Sequence, residues 1–139
     1  MSTISLPDKF LGVCYQPARI PGVEQQSNLE LGANCQLYAY ELLRYFGVDL
    51  PPFRSSELWA DNKYTVEVKT PRELDLMLYH RKQQSYGAHV GIYFGDGKVL
   101  HLSREIGYPA IQPHEELLAD PKYAYLIGIK RPLLKARFS

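Results

Sequence analysis

The chain has 139 residues, a formal net charge of +1 and two cysteines. A chain of this length buries a core of its own without disulfides or metal, so we expect one domain over residues 1–139. The balance of 16 basic and 15 acidic side chains argues against a nucleic-acid partner. There is no apolar run of membrane-spanning length and no signal peptide, so we expect no membrane partner and a cytoplasmic location, with non-standard export left open.

The first 28 residues predict a loop-rich N-terminal arm, because prolines and glycines interrupt any sustained period. From Cys35 to Phe46 apolar side chains recur at steps of three and four, which predicts a helix. Asn34 is a suitable N-cap and Gly47 a natural stop, so Cys35 is expected at the first helical position.

The rest of the chain predicts two short helices and several strands. The expected helices cover residues 55–61 and 113–119, the expected strands cover residues 65–69, 74–79, 88–94, 98–103 and 123–130, and a solvated basic tail contains Lys130, Arg131 and residues 135–137. One long helix followed by hairpin-linked strands predicts an α+β fold, with helices packed on an antiparallel sheet.

The loop of the hairpin decides whether its two histidines, His89 and His101, can cooperate. A two-residue loop with Gly95 opposite Lys98 would continue in simple register to Ile92 opposite His101, which places the histidines on opposite faces. A three-residue loop with a bulge at Gly97 pairs Phe94 with Lys98 and Gly91 with His101. We predict the second arrangement, in which both imidazoles share a face and Gly91 leaves room between them.

A cysteine at a helix start beside two histidines indicates a thiol nucleophile. The N–H groups of the first turn favour a thiolate at Cys35, and a nearby imidazole can hold its proton. We therefore predict Cys35 as nucleophile, His89 as base and His101 as the group that orients His89. The backbone N–H of Cys35 and the hydroxyl of Tyr15 are the expected oxyanion donors.

These residues resemble the NlpC-type cysteine peptidases, papain-like hydrolases of bacterial cell-wall peptides. The resemblance rests on four segments in the family's order: Gly12-Val-Cys-Tyr15, the Cys35 helix with its exit Gly47-Val-Asp-Leu-Pro51, Asp75-Leu-Met-Leu-Tyr79, and His89-Val-Gly-Ile-Tyr-Phe-Gly-Asp-Gly-Lys-Val-Leu-His101. It implies a papain-like fold and a cysteine peptidase or amidase that cleaves peptide or isopeptide bonds in peptidoglycan-derived or related short peptides.

The resemblance also places Asn34 and Gln36, together with Tyr15, at oxyanion or substrate-binding positions. The family usually has Asp before the cysteine and Ser-Gly after it, whereas this chain has Asn34, Gln36 and Leu37. The acidic residue helps the family recognise the free amine of a stem peptide. Because Asn34 is neutral, this chain lacks the charge with which the family recognises that amine when it cleaves a γ-D-glutamyl to diamino-acid bond.

Two other functions remain open at this point. The altered cysteine context is compatible with a catalytically inactive papain-like domain that binds a peptide or protein partner. An acyltransferase-like thiol enzyme would use a similar Cys and His pair, but in such relatives the histidine precedes the cysteine.

Structural roles are expected for the remaining candidates. A Cys14–Cys35 disulfide is not expected, and the cysteines and histidines lack zinc-type spacing, so we expect no metal and no cofactor. His80 and His114 are expected at the surface. Trp59 and Phe53 are expected to pack rather than line a groove.

Overall fold

The computed structural model describes residues 5–21 and 29–133. Two helices come first in the chain, five strands follow, and a third helix precedes the last strand. The three α-helices are α1 (Cys35–Tyr45), α2 (Ser55–Ala60) and α3 (His114–Ala119), and the six strands are β1 (Thr65–Val68), β2 (Leu76–His80), β3 (His89–Gly95), β4 (Lys98–Leu102), β5 (Pro109–Pro113) and β6 (Tyr125–Pro132).

The six strands form one antiparallel sheet in the order β1-β6-β2-β3-β4-β5. Helix α1 packs across β3 and β4, and its buried leucines share a core with Val90, Ile92 and Leu100. The opposite face of the sheet carries a second cluster around Tyr79 of β2 and Val99 of β4. The predicted architecture of a helix packed on an antiparallel sheet is confirmed.

The predicted elements are present, with ends that differ by one or two residues. Helix α1 begins at Cys35 as expected, and Gly47 follows it in the left-handed region at φ +90°. Strand β5 was not predicted, because prolines at both ends and a half-exposed middle conceal its alternation. None of the helices in the described ranges has the length and apolar character needed to cross a membrane.

The N-terminal arm is held against α1 over its described part. Phe10 and Val13 are buried, and the hydroxyl of Tyr38 donates to the Phe10 carbonyl at 2.8 Å. A single bridge pairs Tyr15 with Ala33, one residue before the N-cap of α1. The arm therefore brings Tyr15 to the start of the helix.

The prediction of a solvated basic tail is wrong for its first two residues. Lys130 is 3% exposed within β6, and its ammonium donates to the backbone carbonyls of Trp59 and Asp61. Arg131 forms two hydrogen bonds, of 3.0 and 2.8 Å, with the buried carboxylate of Asp75. Both cations have partners from distant segments, which local sequence cannot reveal. Residues 135–137 lie outside the described part of the chain.

The loop of the β3–β4 hairpin differs from the prediction, but the strands reach the predicted register beyond it. Gly95 pairs with Lys98, so the loop contains two residues, Asp96 and Gly97, both with positive φ. The predicted pair Phe94–Lys98 is wrong. A bulge between Tyr93 and Gly95 shifts the register, so that Ile92 lies opposite Leu100. Continuing that register places Gly91 opposite His101.

Candidate active site

Cys35 is the first residue of α1, and its position is fixed by the cap that precedes it. The side-chain oxygen of Asn34 accepts a hydrogen bond from the Leu37 N–H at 2.8 Å, as an N-cap residue does. Asn34 is only 7% exposed, and its own backbone N–H donates to the Arg19 carbonyl at 2.9 Å. The cap thus holds the Cys35 thiol at the edge where α1 meets the sheet.

Burial of the thiol works against the predicted thiolate. Burial raises the pKa of Cys35, while hydrogen bonding from the backbone N–H groups of Val90, Cys35 and Gln36 and the charge of Arg54 lower it by less. The helix start therefore acts in the predicted direction, but desolvation outweighs it. The contact with Val90 places the sulfur beside the residue that follows His89.

The two hairpin histidines are hydrogen-bonded to each other. Nε2 of His89 and Nδ1 of His101 are 2.8 Å apart, and the rings meet edge to face. Gly91 allows this approach, because a Cβ there would lie 2.7 Å from Val99 Cγ1 and 3.4 Å from the Cβ of His101. The prediction that both imidazoles share a face of the hairpin is confirmed.

A chain of hydrogen bonds continues from His101 and determines which ring nitrogen of each histidine carries the proton. Nε2 of His101 is 2.5 Å from the Gln112 oxygen, and the Gln112 amide nitrogen donates to Glu116 at 3.3 Å. Since the carboxylate accepts from the amide nitrogen, the Gln112 oxygen accepts from Nε2–H of His101. Nδ1 of His101 then accepts from Nε2–H of His89. This order leaves Nδ1 of His89 without a proton, in the state of a general base.

The surroundings of the histidines keep them uncharged. Burial lowers the pKa of His89 to about 3, with a smaller contribution from the charge of His101. Burial also lowers the pKa of His101. The ring of Tyr123 stacks on His89 at a centroid distance of 4.6 Å. Burial therefore favours the neutral forms of the thiol and of both imidazoles.

Tyr123 packs against both histidines and lies within electrostatic range of the sulfur. Burial is the main cause of its raised pKa, and the negative charge of Cys35 is among the smaller contributions. The same residue thus stacks on His89 and lies within electrostatic range of the thiol. His89 and Tyr123 also line a surface cavity together with Tyr79 and Tyr86, which gives the histidine access to solvent. A larger cavity lies away from the histidines, against the far end of α1.

The other predicted site residues lie near Cys35, and their roles in binding stay predictions. The pKa of Tyr15 is raised first by burial and next by the charge of Cys35, so the two side chains lie within electrostatic range of each other. Gln36 is 5% exposed, and its oxygen accepts from Nε of Arg54 at 3.3 Å. Asn34 already uses its side-chain oxygen as the helix cap.

Four residues of this region were missed in the sequence: Arg54, Gln112, Glu116 and Tyr123. Gln112 lies on β5, the strand that was not predicted, so its place diagonal to His101 could not be anticipated. Tyr123 belongs to a short 3₁₀ helix, and Arg54 precedes α2. Each reaches the site through tertiary packing and carries no local signal in the sequence.

The remaining candidates are placed as follows. Cys14 and Cys35 are both free. Nδ1 of His114 is 2.7 Å from the Tyr79 hydroxyl, so this histidine is half-buried rather than a surface residue. Trp59 packs over Gly128, as its expected structural role requires. No group of three His, Cys, Asp or Glu suited to a metal occurs within residues 5–21 and 29–133.

Comparison with known structures gives proteins of one fold. A NlpC/P60 family protein from Bacillus cereus has a TM-score of 0.62 and 25% identity over 90% of this chain, which spans 37% of the length of that protein. The NlpC/p60 domain of the peptidoglycan hydrolase SagA has a TM-score of 0.58 and 15% identity, with 90% of this chain and 91% of that domain covered.

The peptidoglycan hydrolase RipB from Mycobacterium tuberculosis has a TM-score of 0.56 and 21% identity, with 87% of this chain and 57% of RipB covered. Comparison with curated protein sequences gives no match. These structures confirm the papain-like fold. The NlpC/P60 family model matches residues 21–123, which is most of the chain, and the protein therefore belongs to the NlpC/P60 family.

Proposed function

We propose that this protein is a cysteine peptidase or amidase that hydrolyses peptidoglycan-derived or related short peptides. Cys35 is the nucleophile, His89 the general base and His101 the residue that orients it. The observation that carries the proposal is the 2.8 Å hydrogen bond between His89 and His101. His89 lies on β3, and the backbone N–H of Val90, the next residue of that strand, contacts the Cys35 thiol. Family membership and the likeness to two peptidoglycan hydrolases support the substrate class.

The neutral resting state determines the order of proton transfer. As the sulfur of Cys35 attacks the scissile carbonyl carbon, its proton passes to Nδ1 of His89. The carbonyl oxygen becomes an oxyanion, for which the backbone N–H of Cys35 and the Tyr15 hydroxyl are the proposed hydrogen-bond donors. His89 is cationic at this stage, and the acceptor atom of His101 stabilises its remaining N–H.

The tetrahedral intermediate then breaks in the direction of products. The C–N bond cleaves, His89 returns the proton to the departing amine, and an acyl-thioester remains on Cys35. Water attacks the thioester while His89 takes its proton, and the acid and the free thiol are released. No step requires a metal or an organic cofactor.

Asn34, the residue before the nucleophile, affects whether the enzyme recognises the free amine of a stem peptide. Asn34 is neutral and its oxygen is occupied by the Leu37 N–H, so it offers no carboxylate to the free amine of a stem peptide. A γ-D-glutamyl to diamino-acid bond is the first bond to test, with substrates that carry and lack that amine. A cytoplasmic location remains a prediction, and it would favour recycled peptides over intact wall.

The test is incubation of the purified protein with a panel of stem-peptide fragments, followed by mass analysis of products. We expect cleavage by the natural protein and by Cys14→Ser, and none by Cys35→Ser or His89→Ala. Cys14→Ser is a matched control because Cys14 is exposed and free. Cleavage that survives Cys35→Ser would refute the assignment of the nucleophile.

A thiol-directed electrophile distinguishes an enzyme from a binding domain. An active site requires labelling of Cys35 that slows in His89→Ala, since the imidazole removes the proton. If no peptide is cleaved and His89→Ala leaves the labelling rate of Cys35 unchanged, the protein is a peptide-binding member of its family.

A further inference from the structure

An aromatic ring covers one face of the proposed general base. The ring of Tyr123 stacks on the imidazole of His89, with 4.6 Å between the ring centroids and 27° between the ring planes. His101 approaches the same imidazole from its edge, where Nε2 is hydrogen-bonded. Because the nitrogens of an imidazole donate and accept in the ring plane, a partner on the ring face does not compete with their hydrogen bonds.

Tyr123 is held in this position by its backbone and by its hydroxyl. It ends the 3₁₀ helix Pro121–Tyr123, and its N–H donates to the Asp120 carbonyl at 2.9 Å. Its hydroxyl is hydrogen-bonded to the side chain of Ser103, which is 3% exposed and lies two residues after His101. The ring thus extends from the segment between α3 and β6 and is fixed to the end of the strand that carries the second histidine.

The face of the Tyr123 ring distinguishes the two charge states of His89. An aromatic face carries a negative potential and attracts a cation within about 6 Å of its centroid, whereas a neutral imidazole gains only the stacking contact. Burial raises the pKa of the Tyr123 hydroxyl, so the ring itself stays neutral. The ammonium of Lys122 lies 5.8 Å from the same centroid, but it is exposed and donates to the carboxylate of Asp120. The contact with His89 therefore strengthens when the imidazole takes up a proton.

We propose that Tyr123 is a positioning residue whose aromatic face stabilises the imidazolium of His89 during the reaction. This role rests on the proposed function, because the cation forms when the proton of the Cys35 thiol moves to Nδ1 of His89. In that transfer the S–H bond breaks and an N–H bond forms, which leaves a thiolate beside an imidazolium. Burial disfavours the imidazolium, as the lowered pKa of His89 shows, and the aromatic face offsets part of that effect.

The first experiment measures the alkylation of Cys35 by iodoacetamide at neutral pH, with the exposed and free Cys14 of the same sample as internal standard. The sulfur bonds to the methylene carbon of the reagent, iodide leaves, and the thiol proton passes to His89. A cation–π contact changes such an equilibrium about 3- to 30-fold. We expect Tyr123→Leu, which keeps apolar bulk without an aromatic face, to slow alkylation by that factor, and Tyr123→Phe to stay within twofold of the natural protein.

A double-mutant cycle separates this role from a structural one. No imidazolium forms in His89→Ala, so adding Tyr123→Leu to that variant should change the alkylation rate of Cys35 less than twofold. Tyr93→Leu is the matched control, because Tyr93 is a half-buried tyrosine of the same apolar cluster, and its hydroxyl accepts the Gly97 N–H at the turn of the hairpin. It should leave the rate within twofold. An unchanged rate in Tyr123→Leu, or an equal loss in Tyr93→Leu or in the His89→Ala background, overturns the proposal.

A fluorinated ring decides the question if Tyr123→Leu does not fold. Pentafluorophenylalanine at position 123 keeps the approximate shape of phenylalanine and reverses the charge distribution of the ring face. We expect it to slow alkylation of Cys35 at least threefold relative to Tyr123→Phe. Equal rates for the two rings contradict the proposal.

Peptide hydrolysis supplies a second readout. Stabilisation of a cation that forms only during the reaction acts on kcat, so Tyr123→Leu should lower kcat about 3- to 30-fold and leave KM within twofold. A raised KM with unchanged kcat would make Tyr123 a substrate contact in the cavity that it lines with His89, and the proposal would fail. Absence of cleavage by the natural protein refutes the peptidase function instead, and the alkylation cycle still decides the role of Tyr123. An alkylation rate that His89→Ala leaves unchanged refutes both.

Discussion

Gln112 is predicted to control catalysis although it does not touch the nucleophile. The change Gln112→Leu preserves approximate size and removes the oxygen that accepts from Nε2–H of His101. His101 is 1% exposed, so water cannot replace that acceptor. An unsatisfied buried donor costs about 1–3 kcal/mol, and we expect the free energy of unfolding to fall by that amount.

The effect on the rate follows from the charge that forms on His89. Hydrogen bonds to charged groups contribute about 1.5–3 kcal/mol, and each ~1.4 kcal/mol of barrier is a factor of ten. If the chain through His101 transmits that stabilisation, Gln112→Leu should lower kcat about 10- to 100-fold with little change in KM. Steady-state hydrolysis of a stem peptide measures both parameters, and denaturant titration measures the stability.

Gln112→Glu is the matched control, because a carboxylate oxygen accepts the same hydrogen bond. We expect it to retain most of kcat near neutral pH and to move the acid limb of the pH–rate profile to higher pH, since a negative charge favours the protonated histidine pair, which cannot take the thiol proton. The reasoning is refuted if Gln112→Leu keeps kcat within twofold, or if both variants lose activity equally.

Three further predictions concern the same site. The lowered pKa values of His89 and His101 mean that the unfolded chain binds more protons than the folded chain near and below pH 6.5. Denaturant titration should therefore show the free energy of unfolding falling by about 1.4 kcal/mol through His89 from pH 7.5 to 5.5, with a further fall in the same direction through His101, and His101→Gln should remove that further fall. Because burial raises the pKa of Cys35, its alkylation in the absence of substrate should accelerate with pH from 7 to 9; a plateau across that range would contradict the neutral thiol. Gly91→Ala should cost about 1–3 kcal/mol of stability and most of the activity, because its Cβ would lie 2.7 Å from Val99 Cγ1; wild-type thermal stability would contradict it.

The sequence predicts the fold where local signals are strong. Helix α1 has a cap, a regular apolar period and a glycine stop, and its first residue is correct. Strand β5 has none of these signals. It is bounded by two prolines, and its pairing with β4 supplies the order that its composition does not.

The hairpin shows how a correct conclusion followed from an incorrect loop. Two residues of positive φ, Asp96 and Gly97, form the turn, and the extra residue needed to align the histidines is accommodated as a bulge at Phe94. Turn residues indicate that a bulge is needed, but its position depends on packing of Phe94 against the core. The shared face of His89 and His101 was predictable, and the pairing that produces it was not.

Charge state is the property of the site that is least visible in the sequence. The helix start supplies N–H groups at Cys35 and Gln36, and β3 supplies another at Val90, all of which favour a thiolate. Burial opposes them and has the larger effect, as it also does on the two histidines. Because desolvation sums over every segment packed around the sulfur, a local motif specifies which atoms meet but not where their proton resides. The surrounding shell, from Tyr123 on His89 to Arg54 beside Gln36, therefore determines whether the thiol and imidazole rest neutral or as an ion pair.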